Sequence, residues 1–290
     1  MNKTTLGIIS GLSATSIWGA MYVVSKAVMQ VIPPFSLLTS RLILGSLTLL
    51  IIAFFQRKKL HIHRKTFWKI FWVGFIGYGI SLGFQFVGTH LSTAANGALV
   101  TSATPAFVLI FALIILKEKI TKRQLLALSI ASLGVIAVID PRSAKLDSTF
   151  FWGNISLVAA ALTWALYSVL VRKTTRDTNV LVLSLVALLG GLPTSITAGI
   201  YEISHQGLGE ITPAVIFGVL FIGIISTGLA MYLWNTAFAL LNASLASLTF
   251  FAQPVVGTIL GAVFLGEIIT PLFLSGGILI GIGLVIASKE

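Results

Sequence analysis

Trp18, Tyr22 and Lys26 stand four residues apart in an otherwise apolar stretch, so in a helix they form one stripe. Trp164, Ser168 and Arg172 repeat that stripe later in the chain, with Tyr167 beside it. Such side chains are costly inside a hydrocarbon layer and usually face the interior of a bundle. Tyr78, Gln85, Asn96, Thr101, Asn235 and Gln253 are further polar residues deep in apolar segments. Aromatic rings with a few carboxamides suit a wall for a small amphipathic solute. The candidate substrate wall is therefore Trp18, Tyr22, Tyr78, Gln85, Asn96, Trp164, Tyr167, Asn235 and Gln253. A carboxamide in hydrocarbon needs a partner, and both a substrate and another helix can supply it.

Lys26, Arg41 and Arg172 are the cations nearest this set. They can gate a path, or anchor at an interface by snorkelling. Pro105 and Pro254 each delete a backbone N–H, so each is expected to bend its helix, as a hinge or as a fixed kink. No carboxylate falls at mid-depth in any apolar stretch, which speaks against a proton relay and against acid–base catalysis. The chain has no His-Glu-x-x-His helix, nucleophile elbow or phosphate-binding glycine loop, and no cysteine. His61-x-His63 lacks a third ligand and sits among cations. No enzyme activity, metal or cofactor is expected.

The elements that must hold these residues follow from hydropathy. Of the 290 residues, 57% are hydrophobic and 9% charged. A helix needs about 20 apolar residues to cross a core roughly 30 Å thick. Ten stretches qualify: 5–31, 34–56, 66–89, 93–116, 121–139, 150–172, 178–202, 212–238, 243–266 and 270–288. With no water to satisfy its backbone there, the chain is expected to be an all-α membrane protein of ten helices. The connectors are too short for a soluble domain, so the net charge of +11 does not indicate nucleic acid. Instead the cations mark topology. Arg57, Lys58, Lys59, Lys122, Arg123, Lys173 and Arg176 cluster at the even-numbered connectors, against Arg142 and Lys145 on the other side. Both termini are thus expected in the cytoplasm of a plasma-membrane protein. The first stretch reads as a retained helix, since no small-residue cleavage site follows it.

The chain also repeats itself. Trp164 follows Trp18, and Arg172 follows Lys26, by 146 positions; Pro254 follows Pro105, Glu267 follows Glu118 and Thr270 follows Thr121 by 149. Two halves, 1–142 and 148–290, each with five spans, must lie in the membrane with opposite orientations. Inverted repeats with a site between them are a common construction of secondary transporters. Glycine pairs at Gly7/Gly11, Gly79/Gly83, Gly257/Gly261 and Gly277/Gly281 allow close helix approach, more as internal packing than as a dimer face.

Trp18-Gly19, Arg41, Pro105 with Glu118, and Pro254 with Glu267 resemble the EamA-type transporters of the drug/metabolite transporter superfamily. The resemblance covers the whole chain. It implies a basket of helices around a central cavity that moves small metabolites, and it favours a structural role for Arg41. The expected function is a secondary transporter or facilitator, an exporter of amino acids or amphipathic drug-like molecules, acting as monomer or homodimer with a small-molecule substrate and the bilayer as partners. A membrane subunit without transport and an intramembrane enzyme are the alternatives.

Overall fold

The computed structural model describes residues 2–56, 62–92, 94–139, 148–175, 178–265 and 271–288. Glu267, Thr270, His61, the basic residues at 57–59, 142, 145 and 176, and the junction 143–147 lie outside them.

Every regular element among the described residues is helical. The order is α1 (Lys3–Val28), α2 (Pro34–Phe55), α3 (Arg64–Gly74), α4 (Leu82–Leu91), α5 (Ala94–Thr101), α6 (Thr104–Phe111) and α7 (Lys122–Ile139). There follow α8 (Ser148–Thr174), α9 (Val180–Gln206), α10 (Pro213–Leu220), α11 (Ala230–Leu240), α12 (Ala243–Leu248), α13 (Ala252–Leu265) and α14 (Pro271–Ser288). Local chemistry sets several of the ends. Asn2 caps α1 by accepting from Thr4 N–H at 2.8 Å. Pro34 opens α2, where its missing N–H costs nothing. The next two amides, Phe35 and Ser36, donate to Glu202 Oε2 of α9 at 2.8 and 2.9 Å, a carboxylate placed on a helix N-terminus.

Two rods run through a π-helical segment. Phe75–Ser81 joins α3 to α4, and Phe221–Leu229 joins α10 to α11. Tyr78 and Thr227, 149 positions apart, occupy these two segments. Such widened turns sit preferentially at functional positions. The 93–116 and 243–266 stretches are not single helices as their hydropathy suggests. The first breaks between α5 and α6, and the second passes through a short 3-10 turn, Thr249–Phe251, between α12 and α13. Pro105 and Pro254 lie just after these breaks, in the first turns of α6 and α13, where a helix tolerates proline. The carbonyl that Pro105 leaves free is that of Thr101, and Thr104 Oγ1 donates to it at 2.6 Å instead.

Among the described residues, six uninterrupted helical stretches are long and apolar enough to cross a membrane: Lys3–Val28, Pro34–Phe55, Arg64–Leu91, Phe151–Thr174, Val180–Gln206 and Pro213–Leu240. Their outer surface is apolar, with Phe54 79% and Phe55 78% exposed, whereas Arg41, Ser168 and Asn235 are 0% exposed. That distribution inverts the pattern of a soluble protein. The chain is a multi-pass membrane protein.

Glycines set the closest helix contacts. A Cβ on Gly19 of α1 would lie 2.6 Å from the carbonyl of Gln253 and 3.0 Å from the amide of Gly257, both on α13. Gly7 and Gly11 pack against Leu241 and Thr249, Gly79 against Thr194, and Gly83 against Phe35, so these pairs serve internal packing. Gly281 meets nothing within 4 Å among the described residues.

Candidate functional site

Where α1, α8 and α11 converge, three indoles meet. The Trp18 ring lies 5.5 Å from Trp164 and 5.3 Å from Trp234, with Phe250 at 6.1 Å. Trp18 Nε1 donates to the Ser226 carbonyl at 2.9 Å, and Trp234 Nε1 to Ser168 Oγ at 3.1 Å. Trp164 Nε1 is buried without a partner among the described residues.

Beside the indoles runs a polar patch. Gln85 Nε2 donates to Tyr22 Oη, Tyr22 Oη lies 2.9 Å from Thr101 Oγ1, and Gln253 Nε2 donates to the same Thr101 oxygen at 3.2 Å. Gln85 Oε1 and Gln253 Oε1 are both buried and unpartnered among the described residues. The breaks before Pro105 and Pro254 place Thr101, Thr104 and Gln253 here, at helix ends rather than inside continuous helices.

These groups line one cavity of about 20 Å3. That is room for roughly one water, so the cavity is closed down in this conformation. Trp18 and Trp164, 146 positions apart, both line it; so do Leu82 and Met231, Thr101 and Phe250, and Thr104 and Gln253, each pair 149 apart. These are the separations at which the sequence repeats.

Of the expected wall, Trp18, Gln85, Trp164 and Gln253 line the cavity, and Tyr22 stands one hydrogen bond behind it. Tyr78, Tyr167 and Asn235 do not line it. They form a second buried chain: the Tyr78 and Tyr167 hydroxyls are 2.6 Å apart, Tyr167 donates to Asn235 Oδ1 at 2.9 Å, and Asn235 Nδ2 to Ser184 Oγ at 2.9 Å. This chain ties the π-helical segment at 75–81 to α8, α11 and α9, and backs the Trp164 ring at 4.8 Å through Tyr167. Asn96 is on α5, and its side chain lies outside the described residues. Phe250 is a wall residue that hydropathy and polarity did not single out. It follows Thr101 by 149 positions, so the repeat could have found it.

Arg41 is wholly buried, donating from Nε to Thr227 Oγ1 at 2.8 Å and lying 5.0 Å from the Phe86 ring centre. Its partners are a hydroxyl, the Met21 sulfur and an aromatic face. It lies behind Met21, which lines the cavity.

Lys26 and Arg172 mark opposite ends of the bundle. Lys26 Nζ donates to the carbonyls of Thr89, His90 and Ser92 at 3.0, 2.8 and 2.6 Å, around the C-terminal end of α4. Arg172 Nη1 donates to those of Phe238 and Ala239 at 3.3 and 2.8 Å, near the C-terminal end of α11. Phe238 and Ala239 follow Thr89 and His90 by 149 positions, so the two cations do the same work at repeat-related helix ends. Glu118 joins the second set: Oε1 lies 3.8 Å from Arg172 Nε, and Oε2 accepts from the Ala243 amide at the start of α12 at 3.0 Å. Replacing either cation by methionine should lower stability by about 1–2 kcal/mol, the value of charge-assisted bonds discounted for partial exposure. Thermal unfolding of purified Lys26→Met and Arg172→Met variants measures this, and an unchanged midpoint would contradict the capping role.

A multi-pass protein whose described elements are all helices, with an indole-walled cavity that carries a few polar groups, has the architecture of a membrane transporter. The EamA-like transporter family model matches residues 5–139 and again 151–289. The chain belongs to that family. It is similar to the Bacillus subtilis (strain 168) protein named "Uncharacterized transporter YoaV", with 27% identity over 98% of this chain and 96% of that one. It is also similar to a Salmonella typhimurium protein named "Probable amino-acid metabolite efflux pump", with 27% identity over 93% of this chain and 90% of that one. A solved crystal structure with 20% identity superposes at a TM-score of 0.81, covering 97% of this chain and 96% of that chain, which shows a shared fold.

Proposed function

We propose that the chain is a secondary transporter that exports small metabolites such as amino acids or amphipathic drug-like molecules. Two inverted halves of five helices, 1–142 and 148–290, rock about the central cavity by alternating access. The protein resides in the plasma membrane with both termini cytoplasmic, so that Lys26 faces outward and Arg172 inward. The observation that carries this reading is the cavity itself. It is walled by pairs of residues at the repeat separations, and side chains on its wall carry buried polar atoms without a partner among the described residues. Two copies of one sequence inserted in opposite directions give two packings of similar energy, one open to each side. The relative named as an efflux pump supports the outward direction and amino-acid cargo.

The chain has no cysteine, so single cysteines report cleanly. Cysteines replacing Gln85 or Gln253 should react with membrane-impermeant thiol reagents from either face as the cavity alternates, and a bound solute should slow both reactions. Protection from both faces under every condition would count against alternating access. Reporter fusions should place both termini inside, and an external C-terminus would overturn the inverted topology.

A further inference from the structure

The proton count in the polar patch fixes which atoms the cavity offers. The Gly97 carbonyl can only accept, and Thr101 Oγ1 lies 2.7 Å from it, so the single Thr101 hydroxyl proton goes there. Thr101 Oγ1 can then only accept from its other neighbours. Tyr22 must donate to it across 2.9 Å, and Gln253 must present its amide nitrogen at 3.2 Å. With its proton committed, the Tyr22 oxygen accepts in turn from the Gln85 nitrogen. This chain of donors assigns the amide nitrogen of each glutamine to the patch. Each turns its carbonyl oxygen away from the patch, and both oxygens are buried without a partner among the described residues. Gln253 is 1% exposed, and Trp164, whose Nε1 is the unpartnered donor on the same cavity, is 6% exposed.

The side chains lining the cavity therefore carry two acceptors and one donor that no described group meets, alongside its aromatic rings. Resting on the transport reading above, we propose that it selects its solutes by an unsubstituted amino group. Gln85 Oε1 and Gln253 Oε1 receive two of that group's N–H bonds, and Trp164 Nε1 donates to an oxygen on the same solute. The matching chemistry is a primary ammonium or a primary amide with a nearby carboxylate or carbonyl oxygen. A quaternary ammonium fails because it has no N–H to offer and leaves both oxygens buried and unmet. Gln85 and Gln253 are thus specificity-determining residues. Tyr22 and Thr101 are positioning residues that orient them.

The test uses four solutes of one carbon skeleton, titrated into the purified protein and read by the fluorescence of the cavity tryptophans. They are leucine, 4-methylpentanamide, N,N,N-trimethylleucine and 4-methylpentanoate. Leucine, the amide or both should bind at least tenfold more tightly than the trimethylated and nitrogen-free members. Which of the two binds separates a charged from a neutral amino group. Gln253→Met and Gln85→Met should each weaken the N–H-bearing ligand about tenfold, some 1.4 kcal/mol, and so narrow its advantage over 4-methylpentanoate. The wild-type series stands even if a variant fails to fold. Equal binding of leucine and its trimethyl analogue, no binding by any N–H-bearing member, or variants that bind as the wild type does would overturn the proposal. The last result would assign the two oxygens to an ordered water. A protein that exchanges another labelled solute while ignoring this series refutes the amino-group selection alone, whereas one that exchanges nothing refutes the transport reading.

Discussion

Gly19→Val is expected to destabilise the protein by about 2–3 kcal/mol and to abolish any activity that depends on the cavity. The new side chain would meet the backbone of Gln253 and Gly257, and backbone cannot rotate away as a flexible side chain can. Forcing α1 from α13 moves Trp18 and Gln253 together, because both flank the contact. Overpacking a well-fitted interior ordinarily costs about 1–3 kcal/mol, and a contact between two backbones belongs at the upper end of that range. Gly281→Val is the control, since a Cβ there meets nothing among the described residues. Thermal unfolding of the two variants should differ by most of that cost. Equal midpoints would mean that the α1–α13 contact is looser than its geometry.

That glycine illustrates what the sequence makes legible. Trp18-Gly19 could be read as part of a repeated motif, and the expected spans 34–56 and 270–288 agree closely with α2 and α14. Hydropathy finds such helices because the bilayer demands apolar length. It says little about breaks inside an apolar run, since the residues flanking Thr101–Pro105, 97–100 and 106–116, are all apolar or small. Only the prolines hinted at them, and they start helices rather than bend them. The π-helical segments carry no signature in hydropathy either. For the site, polarity identified Trp18, Gln85, Trp164 and Gln253 as wall residues. It could not separate them from Tyr78, Tyr167 and Asn235, because a buried polar group can be satisfied by another helix as readily as by a solute. In the folded chain the last three bond to one another and to Ser184. Lys26 and Arg172 present the same problem, since their helix-end carbonyls are distant in sequence.

The second large effect is expected at Trp18. Its indole is 3% exposed, touches three other aromatic rings and donates to the Ser226 carbonyl, in the π-helical segment that ends at α11. Truncating a large buried aromatic costs about 3–5 kcal/mol, from lost burial and the void left behind. Trp18→Ala should therefore unfold at markedly lower temperature. Where it folds, it should lose solute binding, because Trp164 and Phe250 would relax into the void. Trp18→Phe keeps most of the ring contacts and loses only the bond to Ser226, about 1 kcal/mol. A Trp18→Phe variant as damaged as Trp18→Ala would show that the hydrogen bond outweighs the packing, contrary to this account.

The interior also carries a charge bias. Arg41 is buried behind the cavity with a hydroxyl, the Met21 sulfur and a ring as its partners, and the sequence places no carboxylate at mid-depth. A fixed positive charge in a medium of low effective dielectric repels cations strongly, and cation–π contact with the indoles returns only about 0.5–2 kcal/mol. Neutral, zwitterionic and anionic solutes are therefore expected to pass in preference to organic cations. Without a mid-depth acid to carry a proton, the solute's own gradient should drive the movement.

The most direct test is counterflow in proteoliposomes. Vesicles carrying the purified protein are preloaded with unlabelled amino acid, diluted into a trace of the same labelled compound, and followed with and without an imposed pH gradient. Transient accumulation of label that depends on the protein, and is unchanged by the pH gradient, is the predicted result. Accumulation that follows the pH gradient, or no exchange across amino acids and drug-like solutes alike, would contradict the account.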